Sequence, residues 1–333
     1  MAVRTLGEYR GRQELFRKQS PEVLETLKRV AMVQSVESSN RIEGVTVAAE
    51  RLEPLVTKKT APRDRSESEV AGYRDALAEI HAKGNRMRLS PELILDFHRR
   101  IYARTQEKGG QWKQKDNAIL EVRPDGRQVV RFRPVSHVAA PDFVDKLCDL
   151  YHRAVDDRQI EPLLLIPSFV FDFECIHPFW DSNGRVGRLL TLLLLYQHGY
   201  EVGRYISLER LVEESKESYY DTLQKSSRDW HQAGHDLRPW WDYFLGTLIA
   251  AYKEFEDRVG TITSARGAKR EMVEHAVQRL PARFRFGELQ HACPGISYPT
   301  LKRALLDLKR KKVVRCLGKG RDAQWERTGS PTR

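Results

Sequence analysis

The chain has 333 residues, 40% of them hydrophobic and 31% charged, a balance that suits roughly two globular domains with an ample core. The opening Met-Ala-Val-Arg-Thr-Leu-Gly-Glu lacks the apolar centre of a secretory signal and no apolar run is long enough to span a bilayer, so a cytoplasmic protein with no membrane partner is expected. The net charge of +11 lies wholly in the tail: residues 266–333 hold 17 Lys and Arg against 6 Asp and Glu, leaving 40 against 40 before them, which marks a separate module with an acidic partner, nucleic acid first.

Ser20-Pro21-Glu22 has the residue types of a helix start, with Ser as N-cap and Pro at the first helical position. Leu24, Leu27, Val30, Ala31, Gln34 and Ile42 then share one helical face, and Gly44 is a fitting stop. Taken alone, Glu43 near the end of that helix reads as a solvated charge. The polar stretch 58–68 reads as a surface linker, and 69–82 and 91–105 as scaffold helices, with Ser90-Pro91-Glu92 repeating the start signal. Gly109 and Gly110 break this pattern, and 118–122 and 128–132 predict two strands around Arg-Pro-Asp-Gly, a β-hairpin that by itself could be an ordinary surface feature. An amphipathic helix over 141–156 leads to the apolar segment 162–176, in which Pro167 must start or kink a helix.

Residues 177–188, His-Pro-Phe-Trp-Asp-Ser-Asn-Gly-Arg-Val-Gly-Arg, form a polar loop between that segment and the almost wholly apolar 189–196, which reads as a buried helix. Asp181, Ser182, Asn183 and Gly184 are turn and cap types, so backbone N–H groups would be left at a helix N-terminus, where anions bind. Arg185 and Arg188 share a face of that helix; with one carboxylate they suit a polyphosphate and its metal ion. His177 lies at the other lip, and imidazole is the usual acceptor of a hydroxyl proton near neutral pH. Any one of these residues alone reads as cap or surface charge; their concentration points to a site.

Beyond it, 205–211 and 213–224 continue helically, and Trp240, Trp241, Phe244, Leu245 and Leu248 form an apolar stripe closing the core. His231 and His235 are spaced i, i+4 without a further ligand, so a surface location is expected. Cys148, Cys175, Cys293 and Cys316 lack metal-type spacing and read as reduced thiols. In the tail, a short helix over 286–293, a Pro294-Gly295-Ile296 turn, a helix capped by Ser297 with Leu301, Leu305 and Leu308 inward, and strands at 313–317 and 324–327 around Gly318-Lys-Gly-Arg are expected.

The 177–188 stretch closely resembles the signature of the Fic (filamentation induced by cAMP) family, His-x-Phe-x-Asp/Glu-Gly/Ala-Asn-Gly-Arg-x-x-Arg. It departs only at Ser182, where a Gly or Ala would let a phosphate approach the backbone closely. The resemblance covers about residues 36–250 and implies a mainly α fold, a Fic helical core with a β-hairpin flap. It implies transfer of AMP from ATP to a Ser, Thr or Tyr hydroxyl of a protein, with Mg2+ and release of pyrophosphate. By it, His177 is the general base and Asp181 the magnesium ligand. Ser182, Asn183 and Gly184 cradle phosphate, with Val186 and Gly187 in the same nucleotide-binding turn, and Arg185 and Arg188 neutralise the transferred and leaving groups. Phe179 is an apolar anchor, and 218–223 resembles the stretch that walls the adenine pocket, which assigns Tyr220 there. Ser39-Asn-Arg-Ile-Glu43-Gly44 is similar to the family's inhibitory helix, Ser/Thr-x-x-x-Glu-Gly/Asn, so Glu43 would pair with Arg188 and misplace the nucleotide.

The hairpin at 115–132 resembles the flap that takes a target peptide as an added strand. The tail resembles a winged helix-turn-helix, with Lys302, Arg303, Lys309 and Arg310 on or near the recognition helix and Lys319 and Arg321 in the wing, a set suited to DNA. The expected division is 1–68, with the inhibitory helix at about 20–44, a core at 69–255, a linker at 256–269 and a winged-helix domain at 270–333. Removal of AMP by water activated at Glu43, and a DNA-binding regulator that only senses nucleotide, stand as alternatives. Other donors, for UMP, GMP or phosphocholine transfer, and a homodimer stay open.

Overall fold

A helix that is apolar all round must be wrapped by others, and the chain is built around one. The computed structural model describes residues 1–19, 21–122, 126–261, 270, 273–274, 276–278, 280–293, 296–318 and 323–328. Helices α1 (Ala2–Gln19), α2 (Pro21–Ile42), α3 (Ala49–Val56), α4 (Arg65–Lys83) and α5 (Pro91–Tyr102) precede the strands β1 (Ile119–Val122) and β2 (Gln128–Phe132). Then come α6 (Ala140–Asp157), α7 (Pro162–Ile176), α8 (Asn183–Gln197), α9 (Leu208–Glu214), α10 (Lys216–Ser226) and α11 (Arg238–Thr261). In α8, Leu189, Leu190 and residues 192–195 are essentially free of solvent, and α2, α4, α5 and α7 pack around it.

Local chemistry sets the boundaries. The Ser90 hydroxyl accepts from Leu93 N–H at 3.2 Å, the expected cap of α5. Helix α2 ends in a Schellman turn: Gly44, at φ +80, donates to Arg41 O and Val45 N–H reaches back to Asn40 O. Ser20, the expected cap of α2, lies outside the described residues. Helix α7 starts at Pro162 and carries Pro167 inside it, and the Pro167 carbonyl accepts from Trp240 Nε1 of α11 at 2.7 Å.

Four sequence expectations are corrected. The 58–68 stretch is not all surface linker, because α4 begins at Arg65 on an Asp64 cap and Glu67 and Ser68 are buried. Glu67 tolerates this by a two-pronged pair with Arg51. The stretch expected as a linker at 256–269 is helical in its first part, since α11 continues to Thr261 with Phe255 and Val259 buried, and residues 262–269 lie outside the described residues. Helices α1 and α3 were not foreseen; α1 packs on α11 through a parallel stack of Tyr9 on Tyr252 at 5.4 Å. The segment 205–211 is helical only from Leu208.

The hairpin forms as expected, antiparallel with Leu120 opposite Val130 and Val122 opposite Gln128; residues 123–125 of its turn lie outside the described residues. In the tail, β3 (Arg283–Arg285), α12 (Phe286–Ala292), α13 (Tyr298–Arg310), β4 (Val314–Cys316) and β5 (Gln324–Arg327) are arranged so that β5 pairs antiparallel with both β3 and β4. Leu301, Leu305 and Leu308 are buried as expected. Ser297 sits at the N-cap, but its hydroxyl meets Thr300 Oγ1 at 3.0 Å, and no side chain caps the backbone. Lys319, Arg321 and the Pro294-Gly295 turn lie outside the described residues. All four cysteines are free, and no described helix is long and apolar enough to cross a membrane.

Candidate active site

Helix α7 stops where His177 turns left-handed at φ 50, with its N–H on Phe173 O at 2.9 Å, and α8 starts six residues later at Asn183. The loop between them is locked from both sides. The Asn183 side chain closes on the Phe179 backbone with two 2.9 Å bonds, Oδ1 accepting from N–H and Nδ2 donating to the carbonyl. Phe179 is fully buried, stacked on His98 at 4.0 Å and near-parallel to Trp112 at 5.2 Å. The Tyr102 hydroxyl donates to Asp181 Oδ2 at 3.1 Å and, its single proton used, accepts from Ser182 Oγ at 2.7 Å.

Asn183 spends its side chain on the loop, so only its backbone is left for an anion. Ser182 is left-handed, at φ 67, a conformation that costs glycine nothing. The strain of about 1–2 kcal/mol is offset by the bonds its hydroxyl makes to Tyr102 and to Arg185. No side chain caps the first turn of α8, and its backbone N–H groups have no intrahelical partner.

The arginines diverge. Arg185 turns inward and is 1% exposed: Nη1 donates to Glu69 Oε2 at 2.7 Å and Asn40 Oδ1 at 3.2 Å, Nη2 to Ser182 Oγ at 2.6 Å. It is not among the residues that line the cavity. Arg188 does line it, and is held by α2: Nε donates to Ser39 Oγ, and Nη2 to Ser39 O and Glu43 Oε1, each at 2.8 Å. Its Nη1 is buried without a hydrogen-bond partner. Burial works against the Arg188 charge, but Glu43, with Tyr219 and Tyr73, more than reverses this and holds the guanidinium protonated. A Cβ on Gly184 would fall 2.4 Å from Glu43 Oε1 and 3.1 Å from Arg188 Nη1, so only glycine admits the carboxylate above the start of α8.

The cavity measures about 1030 Å³, large for a small-molecule site, and brings together His177, Arg188, Glu43 and Gly184 with Tyr220 and Trp180. His177 Nδ1 lies 3.3 Å from the Glu174 carbonyl, which can only accept, so the neutral ring carries its proton there and Nε2 is the acceptor. Burial, followed by a weaker opposing bond from Glu174 and repulsion from Lys113, pushes His177 down to about 4, so it is neutral near pH 7. Tyr220 lines the cavity beneath the Arg131 guanidinium, 5.5 Å from its ring.

The sequence reading missed several lining groups. Arg131 and Phe132 of the hairpin and Tyr219 of α10 lie in stretches already singled out, though not by residue, whereas Glu174 of α7 was not foreseen. Two acids in the otherwise apolar α7, Asp172 and Glu174, were the available signal; burial pushes the Glu174 carboxyl up to about 7, and its Oε1 has no partner. His231 is exposed, as expected, and from the surface it stacks on Phe132 at 5.5 Å and bonds the Arg133 carbonyl at 2.8 Å. Among the described residues no His, Cys, Asp and Glu group could hold a metal ion by itself.

Residues 88–195, which hold this site, match the model of the Fic/DOC family. A protein adenylyltransferase Fic of Nematostella vectensis is 23% identical over 221 residues, 63% of this chain, and the chain spans under half, 45%, of that relative's length. A crystal structure of a Fic family protein from Desulfovibrio desulfuricans superposes with a TM-score of 0.62 at 20% identity, covering 100% of this chain and 97% of that one. A Fic domain containing signaling protein from Bacteroides thetaiotaomicron gives 0.63 at 20% identity, over 81% of this chain and 98% of that one.

Proposed function

The chain belongs to the Fic/Fido domain family, and from that premise we propose that it is a protein adenylyltransferase, moving AMP from ATP to a Ser, Thr or Tyr hydroxyl of a protein. The observation that carries this is a neutral His177 with Nε2 as acceptor on the same cavity as Arg188 and the uncapped start of α8. The acceptor oxygen attacks the α-phosphorus as Nε2 takes its proton, the new O–P bond forms, and the bond to the bridging oxygen breaks, leaving pyrophosphate. Backbone N–H groups at Asn183 and Gly184 cradle the phosphates, and Arg188 neutralises the leaving group. Arg185 acts from behind, holding Ser182 and, through Tyr102, the Asp181 side chain.

Asp181, 56% exposed and steadied by Tyr102, suits a hard divalent cation: one carboxylate, with water and phosphate filling the rest of the shell. Mg2+ bound there would offset phosphate charge. The seat of Glu43 on Arg188 and over Gly184 supports a resting state in which the carboxylate occupies the place of a phosphate. The hairpin over 115–132 would dock the acceptor. The tail reads as a winged helix that binds DNA, because α13 leaves Lys302, Arg303, Lys309 and Arg310 exposed on one helix.

Wild type, Glu43→Gly and Glu43→Gly/His177→Ala, incubated with magnesium and α-labelled ATP, test the reading. Label on protein that rises in the single variant and vanishes in the double is expected. No label on self or on any lysate protein would sink AMP transfer.

A further inference from the structure

An indole left in water on a rigid loop beside a reaction centre needs an occupant. Trp180 is 64% exposed, although Phe179 before it is fully buried and Asp181 after it is tied to Tyr102, so its position is set by a locked backbone. Nothing in the phosphate cradle uses it. Leu120 of β1, 50% exposed, lines the same cavity, and Val130 of β2, 46% exposed, is its cross-strand partner. Two large apolar side chains, Trp180 and Leu120, therefore stand uncovered on the cavity that holds His177, and Val130 stands beside Leu120 on the hairpin. Resting on the transferase reading, we propose that Trp180 with Leu120 and Val130 is the acceptor-selecting contact, and that its occupant is an extended segment of a protein substrate carrying a large apolar residue near the modified hydroxyl.

Geometry commits the occupant. An attacking hydroxyl must come within about 3 Å of His177 Nε2, so the chain bearing it crosses the mouth. In an extended segment each residue advances about 3.3 Å, which brings residues within two positions of the hydroxyl over the mouth. Aromatic side chains with a flat apolar body are the usual anchors of such contacts. Charged neighbours would strand the indole against a desolvated ion.

The test uses the full chain as Glu43→Gly with magnesium, α-labelled ATP and synthetic peptides. Each peptide has one central Ser, Thr or Tyr, and Leu, Phe or Asp is placed in turn at the two positions on either side. Peptides with an apolar flank should be labelled about tenfold or more faster at low peptide concentration than those with Asp. Adding Trp180→Ala should collapse that ratio below about threefold while ATP affinity by calorimetry stays unchanged, and Trp180→Phe should keep most of the ratio. Equal labelling of all peptides, or a preference that survives Trp180→Ala, overturns the selection. Label on no peptide and no protein, with ATP still bound, overturns the transferase reading and the selection with it.

Discussion

Glu43, one residue past the end of α2, accepts a 2.8 Å hydrogen bond from Nη2 of Arg188, on a helix 145 residues away, and Ser39 one turn earlier holds the same guanidinium. A carboxylate and a phosphate compete for one cation. Charge-assisted bonds of this kind are worth about 1.5–3 kcal/mol, or roughly tenfold to a hundredfold in occupancy. Glu43→Gly should raise AMP incorporation by that order and tighten ATP binding, and Ser39→Ala should do so more weakly. Tighter ATP binding without more label would separate release of Arg188 from turnover.

His177→Ala should lower transfer by about a hundredfold or more. Because burial pushes His177 down to about 4, it is in its basic form throughout pH 5–9 and should give the rate no inflection there. A bend near pH 7 belongs to Glu174 and should vanish in Glu174→Gln. A bend near 6.5 that survives Glu174→Gln would mean an ordinary, solvated histidine.

Glu174 also ties stability to pH. Its folded carboxyl is raised by burial from 4.5 to about 7, so below pH 4.5 it is neutral folded and unfolded and costs nothing. Between pH 4.5 and 7 the unfolded chain releases a proton that the folded one keeps, and above 7 the whole penalty applies, at most roughly 3 kcal/mol. Denaturant unfolding should therefore find Glu174→Gln gaining on wild type from pH 4.5 to 8. A stability difference flat with pH would refute the raised carboxyl.

Arg185 and Glu69 are both nearly solvent-free and bonded at 2.7 Å. Removing Arg185 leaves the buried Glu69 only its 2.8 Å bond from the exposed Arg65, so Arg185→Ala should cost about 3 kcal/mol by chemical denaturation. Arg185→Met/Glu69→Leu should be less destabilised than either single change. An Arg185→Ala protein as stable as wild type but weak in ATP binding would restore the direct phosphate role.

For the tail, Lys302→Glu/Arg303→Glu should weaken double-stranded DNA binding measured by fluorescence anisotropy. It should also flatten the slope of log affinity against log salt by about 2, one unit per phosphate contact. Salt-independent binding, or binding unchanged by the double reversal, would point α13 to a protein partner.

What the sequence determined by itself was local: helix starts at Ser90-Pro91, the stop at Gly44, the hairpin strands, the apolar run that becomes α8, and a loop dense in polar residues between two core helices. Each depends on neighbours within a turn or two, and periodicity and cap chemistry report those directly. Side-chain allegiance was not local. Arg185 and Arg188 are alike in sequence, yet Glu69, Asn40 and Tyr102 from three other helices draw one inward while Ser39 and Glu43 hold the other at the cavity. Glu67 and Ser68 look like linker residues until Arg51 and Asp64 satisfy them in the interior. The tertiary structure alone decided these, because a buried charge goes where its partner is, and partners arrive from segments that the linear order keeps far apart.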